Sequence, residues 1–142
     1  MKTVVVDTKS IKRDWYVVDA AEQTLGRLAS KAAGVLMGKG KPAYSPNQDH
    51  GDHLIIVNAD KVKLTGKKPE TKTYFRHSRY PGGGKFRSFR EQMERDSSQV
   101  ITHAVHGMVS KNALGRAIMR KLHVYSGESH PHEAQKPKEL KL

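Results

Sequence analysis

The residues of this sequence that point most directly to a chemical role lie between Gly107 and Tyr125, where basic side chains occur without a single acidic one. Helical spacing places Arg116, Arg120 and His123 on one face of this stretch. The same spacing predicts a buried apolar stripe on the opposite face, formed by Leu114, Ala117, Ile118, Leu122 and Tyr125. A solvated helix usually carries acidic residues one turn from its basic ones, so a purely basic face requires negative charge from a partner. We therefore predict one amphipathic helix from Gly107 to Tyr125 whose basic face meets an anionic partner.

The whole chain is strongly basic. Its 142 residues include 26 Lys and Arg against 14 Asp and Glu, which gives a formal net charge of +12 and is typical of a nucleic-acid or anionic-surface binder. The basic residues form four groups, at Lys9 to Arg13, at Lys39 with Lys41, from Lys61 to Arg90 and from Lys111 to Lys121. Aromatic residues in or beside the second and third groups favour nucleic acid. Without a recognition-helix, zinc-finger or RNP signature, we expect binding through shape and phosphate contacts.

Other kinds of site fit the sequence less well. The segment from Gly34 to Gly40 has one residue too few for a P-loop, lacks its hydroxyl and follows a predicted helix instead of preceding it. The segment from Asp49 to His53 offers four possible metal ligands, but no distant ligand at a defined spacing, so we interpret it as a turn before a strand. The chain has no cysteine, no serine in a G-x-S-x-G motif and only scattered carboxylates. We therefore predict no metal site and no P-loop, and the residues give little support to enzyme activity.

The glycine-rich segment from Pro81 to Lys85 has two interpretations. In one it is simply a flexible turn. In the other, its bare backbone lets a phosphodiester chain approach closely between Arg76, Arg79, Lys85 and Arg87, and Tyr80 stacks or packs at the turn. The residues alone leave both interpretations open.

An α/β arrangement is predicted to position these side chains. Apolar runs bounded by breaker residues predict a helix from Thr24 to Gly38 and strands at Trp15 to Ala20, Leu54 to Asn58, Val62 to Thr65 and Thr71 to Arg76. Further helices are predicted from Ser88 to about Glu94, through a capping box with Glu91, and from Asp96, before the basic helix. We predict a single domain, 1–142, with an N-terminal arm at 1–14, a core at 15–126 and an extended tail at 127–142. Neither a secretory signal nor a membrane-spanning run is recognised, so we expect a soluble, cytoplasmic protein.

Several long motifs then resemble one known family. They are WYVVDA at 15–20, LGRLAS at 25–30, GDHLIIVNADKVKLTGKK at 51–68, YFRHSRYPGG at 74–83 and GMVSKNALGRAIMRKLHVYSGESHPHEAQKP at 107–137. Together they resemble the bacterial large-ribosomal-subunit protein thirteen family, the universal ribosomal protein uL13 family, in order over nearly the whole chain. The resemblance implies a three-layer α/β/α domain with a central, mostly parallel sheet of about four strands. It also implies a structural role in the 50S subunit, with binding of 23S ribosomal RNA early in assembly, neighbouring ribosomal proteins as partners, and neither catalysis nor a cofactor.

The chain departs from the pattern of that family at four positions. The family usually has Gly where Arg79 stands, Pro where Ser110 stands, and Lys where His106 and His123 stand. Arg79 adds a charge, while the two histidines remove most of two charges near neutral pH. Without the proline, the basic helix is expected to start less firmly at Ser110.

For the RNA contact itself we predict one set of basic and aromatic side chains: Lys39, Lys41, Lys67, Lys68, Arg76, His77, Arg79, Tyr80, Lys85, Lys111, Arg116, Arg120, Lys121 and His123. Two other functions stay open at this point. The first is an extra-ribosomal RNA-binding translational regulator, and the second is a small phosphate-handling hydrolase.

Overall fold

A computed structural model describes residues 6, 7 and 10–140, so Lys9 of the first basic group lies outside the described residues. The elements, in chain order, are β1 (Trp15–Asp19), α1 (Leu25–Met37), β2 (His53–Val57), α2 (Lys68–Thr71), β3 (Thr73–His77), β4 (Gly84–Ser88), α3 (Phe89–His106), α4 (Ala113–Met119), β5 (Leu122–Val124) and β6 (Lys138–Glu139). Two short 3-10 helices, Ala59–Lys61 and Glu133–Gln135, complete them. No helix in the described part of the chain is long and apolar enough to cross a membrane.

The centre of the molecule is a four-stranded sheet in the order β5-β2-β1-β6, with every neighbouring pair parallel. On one face of the sheet, Val18, Leu54 and Ile56 are buried in a core shared with α1 and α3. On the other face, the C-terminal tail with its 3-10 helix comes back over the strands, and its His132 packs against Trp15 of β1. Helical segments therefore lie on both sides of a parallel sheet, which confirms the predicted α/β fold class.

Local signals in the sequence explain most element boundaries. Helix α1 ends at Gly38, whose φ of 77° lies in the left-handed region, and a Cβ there would meet the His50 backbone at 2.7 Å, so only glycine fits without strain. The Ser88 hydroxyl accepts the Glu91 N–H at 3.3 Å at the start of α3. Asp96 breaks the helical path of α3 with φ −163° and ψ 95°, and its carboxylate accepts the Ser98 N–H at 3.1 Å. The predicted helix starts at Ser88 and Asp96 are thus confirmed, within one kinked element.

The predicted single helix from Gly107 to Tyr125 is wrong. Only α4 is helical, with the Asn112 side chain accepting the Gly115 N–H at 2.8 Å at its start. Beyond Arg120 the chain becomes β5, because its backbone bonds to β2: the Leu54 N–H donates to the Lys121 carbonyl at 3.0 Å, and the Tyr125 N–H donates to the Ile56 carbonyl at 2.8 Å. Pairing with a distant strand therefore replaces the helix that the local periodicity favours.

Two predicted strands also need correction. Residues 62–65 form no strand and make one isolated bridge, between Lys63 and Thr24. The predicted strand from Thr71 to Arg76 exists as β3, but it pairs antiparallel with β4 in a separate hairpin instead of joining the central sheet. The two remaining strands of the central sheet are β5 and β6, which the sequence analysis placed in a helix and in the tail. The predicted single domain, with its arm and tail boundaries, stays a prediction.

Candidate nucleic-acid interface

The β3–β4 hairpin carries the densest group of predicted RNA-binding residues, and its register sorts them onto one face. Arg76 lies opposite Lys85, and Tyr74 lies opposite Arg87. Because directly opposed residues share a face of a two-stranded sheet, these four side chains form one basic face. Tyr74 anchors that face to α3: its ring meets the His103 ring edge-on at 5.5 Å, and burial raises the pKa of its hydroxyl.

A groove of about 580 Å³ opens beside the basic face. Its lining includes Tyr74, Arg76, Arg87, Gln92, Gln99 and His103. Arg87 is held there by Glu91, with 4.0 Å between its Nε and the Glu91 carboxylate. Arg76 and Lys85 are exposed and form no ion pair with any residue in the described ranges. The groove thus combines amide and imidazole groups with Arg76 and Lys85, two cations that have no counter-charge in the described part of the chain.

The turn of the hairpin is ordered by its own backbone. The Ser78 N–H donates to the Gly83 carbonyl at 3.1 Å, and the Gly83 N–H donates to the Tyr80 carbonyl at 2.9 Å. Arg79 has φ 71°, in the left-handed region, and its N–H donates to His77 Nδ1 at 2.9 Å. Tyr80 is 76 % exposed at the tip. Residues 78–83 therefore form a defined turn that presents Arg79 and Tyr80 outward, while Gly84 and Lys85 already belong to β4.

The other exposed cations of the predicted set lie outside the hairpin. Lys68 lines a second groove of about 270 Å³ together with Arg27 and Lys63, which the predicted set had left out. The remaining ones lie beside α2, after α1 and around α4, and all are exposed: Lys39, Lys67, Lys111, Arg116 and Arg120. Arg116 and Arg120 thus point to solvent as predicted, although Ala117, expected on the buried stripe, is exposed as well.

Lys41 and Lys121 are not free surface cations. Lys41 Nζ lies 2.6 Å from the Asp52 carboxylate and donates to the Lys12 carbonyl at 2.9 Å. Lys121 is 5 % exposed, pairs with the Asp49 carboxylate and donates to the Leu36 carbonyl at 3.1 Å. Burial lowers the pKa of Lys121, and the bond to Asp49 opposes that shift. Both residues belong to the predicted RNA-contact set, but both ammonium groups are bound within the fold.

With Arg13, these residues form what we call the amino-edge network: Arg13, Lys41, Asp49, Asp52 and Lys121. It lies at the edge of the sheet where β1, β2 and β5 begin. Arg13 reaches the Asp49 carboxylate at 3.8 Å, and the Asp14 N–H donates to Asp52 at 2.9 Å. The carboxylates of the segment from Asp49 to His53 are therefore occupied by cations. No cluster of three or more potential ligands able to hold a metal occurs among residues 6, 7 and 10–140.

His123, the last residue of the predicted set, belongs to a group of rings beside this network. We call Trp15, His53, His123 and His132 the ring stack. The Trp15 and His53 rings lie 4.2 Å apart at 7°, and His123 and His132 lie 5.4 Å and 5.2 Å from Trp15. Burial lowers the pKa of His53 and of His123, and the nearby charges of Lys121 and Arg13 lower that of His53 further. Sequence reasoning placed His123 on a helix face and missed this stack, because His53 and His132 reach it only through the parallel register and the returning tail.

Comparison with known proteins gives the family. The model of the family described as ribosomal protein L13 matches residues 13–131. The chain is 53 % identical over 140 residues to large ribosomal subunit protein uL13 of Geobacillus kaustophilus, covering 99 % of this chain and 97 % of that protein. It is 54 % identical to the uL13 of Lachnospira eligens and 51 % identical to that of Azotobacter vinelandii, over the full length of all three chains. The chain therefore belongs to the ribosomal protein L13 family, whose members are structural proteins of the ribosome and not enzymes.

Proposed function

We propose that this protein is a structural constituent of the 50S subunit that binds 23S ribosomal RNA early in assembly, in the cytoplasm and beside neighbouring ribosomal proteins. The observation that carries the RNA part of this proposal is the basic face of the β3–β4 hairpin. Between Thr71 and Arg90 the sequence has six Lys and Arg residues and no acidic one. The phosphates of a folded RNA provide the missing negative charge.

The pairing of Arg76 with Lys85 makes this argument specific. Two like charges directly opposite each other destabilise a hairpin by a few tenths of a kcal/mol or more. Each of these residues is exposed, and neither has a carboxylate partner within the described ranges. An arrangement that weakens the free protein in this way is explained when an anionic partner lies against it.

The other exposed cations extend the proposed contact beyond the hairpin. Lys67 and Lys68 lie at the start of α2, after which the chain continues into β3. Arg116 lies on α4, and Arg120 directly follows that helix. The proposed contact set therefore comprises Lys39, Lys67, Lys68, Arg76, His77, Arg79, Tyr80, Lys85, Lys111, Arg116 and Arg120. Lys41, Lys121 and His123 stay outside it, because their side chains are engaged within the fold.

Binding of a 23S RNA fragment at increasing salt tests the proposal. We expect the logarithm of the affinity to fall by roughly 0.7 to 0.9 per log unit of salt for each phosphate neutralised. The double variant Arg76→Ala/Lys85→Ala should bind more weakly, with a salt slope shallower by about two, one for each cation removed. Lys138→Ala is the matched control, because Lys138 is exposed but already lies 3.8 Å from the Asp14 carboxylate.

Two outcomes would contradict the proposal. An affinity that hardly changes with salt excludes phosphate neutralisation as its main source. A wild-type protein that binds 23S RNA only after other ribosomal proteins have been added argues against an early role. Sedimentation of a cell lysate adds a further test, since a subunit constituent is found with the 50S particle and a free regulator is not.

A further inference from the structure

The face of the hairpin that points away from α3 carries apolar rings that the described fold leaves uncovered. Phe75 lies directly opposite Phe86, and the two are 59 % and 72 % exposed. Their ring centroids are 4.8 Å apart, with the planes tilted by 42°. The His77 ring follows at 6.2 Å from Phe75 on the same face. We call Phe75, His77 and Phe86 the ring platform.

The backbone holds the platform in place. Gly84 lies opposite His77, and a Cβ at Gly84 would meet the Phe75 ring at 3.2 Å. The Phe75 ring therefore leans over bare backbone at the position where a side chain would displace it. Phe89, just beyond β4, differs from the two platform phenylalanines, because it is only 9 % exposed and packs in the core. Phe75 and Phe86 therefore lack much of the stabilisation that burial of an aromatic side chain provides.

We propose that the ring platform stacks unpaired nucleobases of the bound RNA. This inference rests on the proposed function and adds a contact to bases that phosphate neutralisation does not require. Aromatic rings on neighbouring strands of an exposed sheet face can each stack one base, and stacking accepts any base because every base has a π face. The two rings, 4.8 Å apart and tilted by 42°, form one exposed aromatic surface on which bases of a single strand can stack.

The charges around the platform favour RNA over an apolar protein surface. Arg76 and Lys85 extend from the same strands on the opposite face, and Arg79 and Tyr80 project from the turn. An apolar protein partner on the platform would supply no counter-charge for these cations. A single RNA strand supplies base faces for the rings and phosphates for the cations. One face of the hairpin would thus contact RNA bases, and the other would contact the RNA phosphates.

The test uses the full chain and a short single-stranded RNA carrying 2-aminopurine, whose fluorescence falls when an aromatic ring stacks on it. The variant Phe75→Leu/Phe86→Leu keeps apolar side chains but removes the rings, and we expect its affinity for this RNA to fall about tenfold or more for each ring lost. The quenching should disappear while the salt slope stays that of the wild type. Phe75→Trp/Phe86→Trp should retain both affinity and quenching, and circular dichroism melts would confirm that both variants fold.

A double-stranded RNA of equal length sharpens the test, because its bases are not free to stack and the Leu substitutions should leave its binding unchanged. Leu variants that bind and quench the single strand as the wild type does would overturn the stacking proposal while leaving the proposed function standing. Leu variants that bind RNA normally but fail to enter reconstituted 50S particles would assign the platform to a protein partner and also overturn it. A wild-type protein that binds neither RNA at low salt would instead remove the proposed function, and the platform with it.

Discussion

The amino-edge network with its ring stack and the β3–β4 hairpin both bring cations and aromatic rings together, but they leave these groups in opposite states. At the amino edge, Lys41 and Lys121 each pair with a carboxylate, and Trp15 lies against three histidine rings. On the hairpin, Arg76 and Lys85 oppose each other without a described carboxylate, and Phe75 and Phe86 are exposed. The cations of one region are paired inside the chain, while those of the other are available to the proposed RNA partner. The carboxylates make the difference, because Asp49 and Asp52 lie at the amino edge while residues 71–90 contain no acidic side chain.

The largest expected effect separates a cation that holds the fold from one that faces a partner. Lys121→Met keeps the apolar stem but removes the ammonium group, which leaves Asp49 with only Arg13 at 3.8 Å. We expect the free energy of unfolding to fall by about 3 kcal/mol, as for a largely buried charge that loses its partner. Urea denaturation measures this. Arg120→Ala, at the exposed neighbouring position, should change stability by no more than about 0.5 kcal/mol.

Adding Asp49→Asn to Lys121→Met should restore part of the lost stability, because the unpaired carboxylate is then gone. If Lys121→Met instead kept full stability and lost RNA affinity, the assignment of Lys121 to the fold would be wrong. Lys121 would then be a partner-facing cation like those of the hairpin, and the distinction between the two regions would not hold for it.

The next effect concerns the ring stack and pH. The pKa values of His53 and His123 are lowered in the folded protein, so the unfolded chain binds more protons than the folded one below the ordinary histidine value of 6.5. Stability should therefore be complete above about pH 6.5 and should decrease as the pH falls toward 5. Backbone and side-chain donors bond to the carboxylates of Asp19 and Asp96 and lower their pKa values below 3.8. Their protonation should therefore reduce stability only at lower pH.

Thermal unfolding measured from pH 7.5 to 5 checks this expectation. His123→Gln should flatten the pH dependence, since it removes one of the two groups that resist protonation. His106→Gln, at an exposed position on α3, is the control and should keep the wild-type profile. A profile that is flat in the wild-type protein over this range would show that the ring stack tolerates charge, and the difference from the hairpin would then be one of packing alone.

The sequence predicts the two regions unequally, for physical reasons. It identifies β1, α1, β2 and the helix starts at Ser88 and Asp96, because those elements have local signals in the form of apolar runs and capping side chains. It fails at β5, since Leu122 continues a helical spacing from Leu114 and Ile118 that only pairing with β2 overrides. It also fails at β6, where two residues pair with Tyr16 and Val17 without any local pattern. Short strands that depend on pairing with distant segments therefore cannot be predicted from local sequence patterns.

The same limit applies to the candidate site. The sequence shows where cations are abundant, but the ion pairs decide which of them remain free. Lys41 and Lys121 are neutralised by carboxylates at Asp52 and Asp49, and only the folded loop before β2 brings these groups together. The alternation through Lys85, Phe86 and Arg87 is the one local signal of the hairpin faces. It shows a strand with rings on one side and cations on the other, although not the strand with which it pairs.

The smallest expected effect lies in the hairpin turn, where one substitution should raise the stability of the protein but lower its affinity for RNA. Arg79 occupies the left-handed region at φ 71°, which a non-glycine residue adopts at a cost of about 1 kcal/mol. Arg79→Gly should therefore raise the free energy of unfolding by up to about 1 kcal/mol, while lowering RNA affinity and reducing the salt slope by about one. Arg76→Gly removes the same charge from a strand position and should instead destabilise the protein by about 0.5 to 1 kcal/mol. Denaturation and RNA titration of both variants measure the two effects separately. Equal losses of affinity with opposite changes in stability would show that Arg79 is retained for its charge at the expense of the free protein, whereas an Arg79→Gly variant with unchanged RNA binding would remove the tip of the turn from the contact.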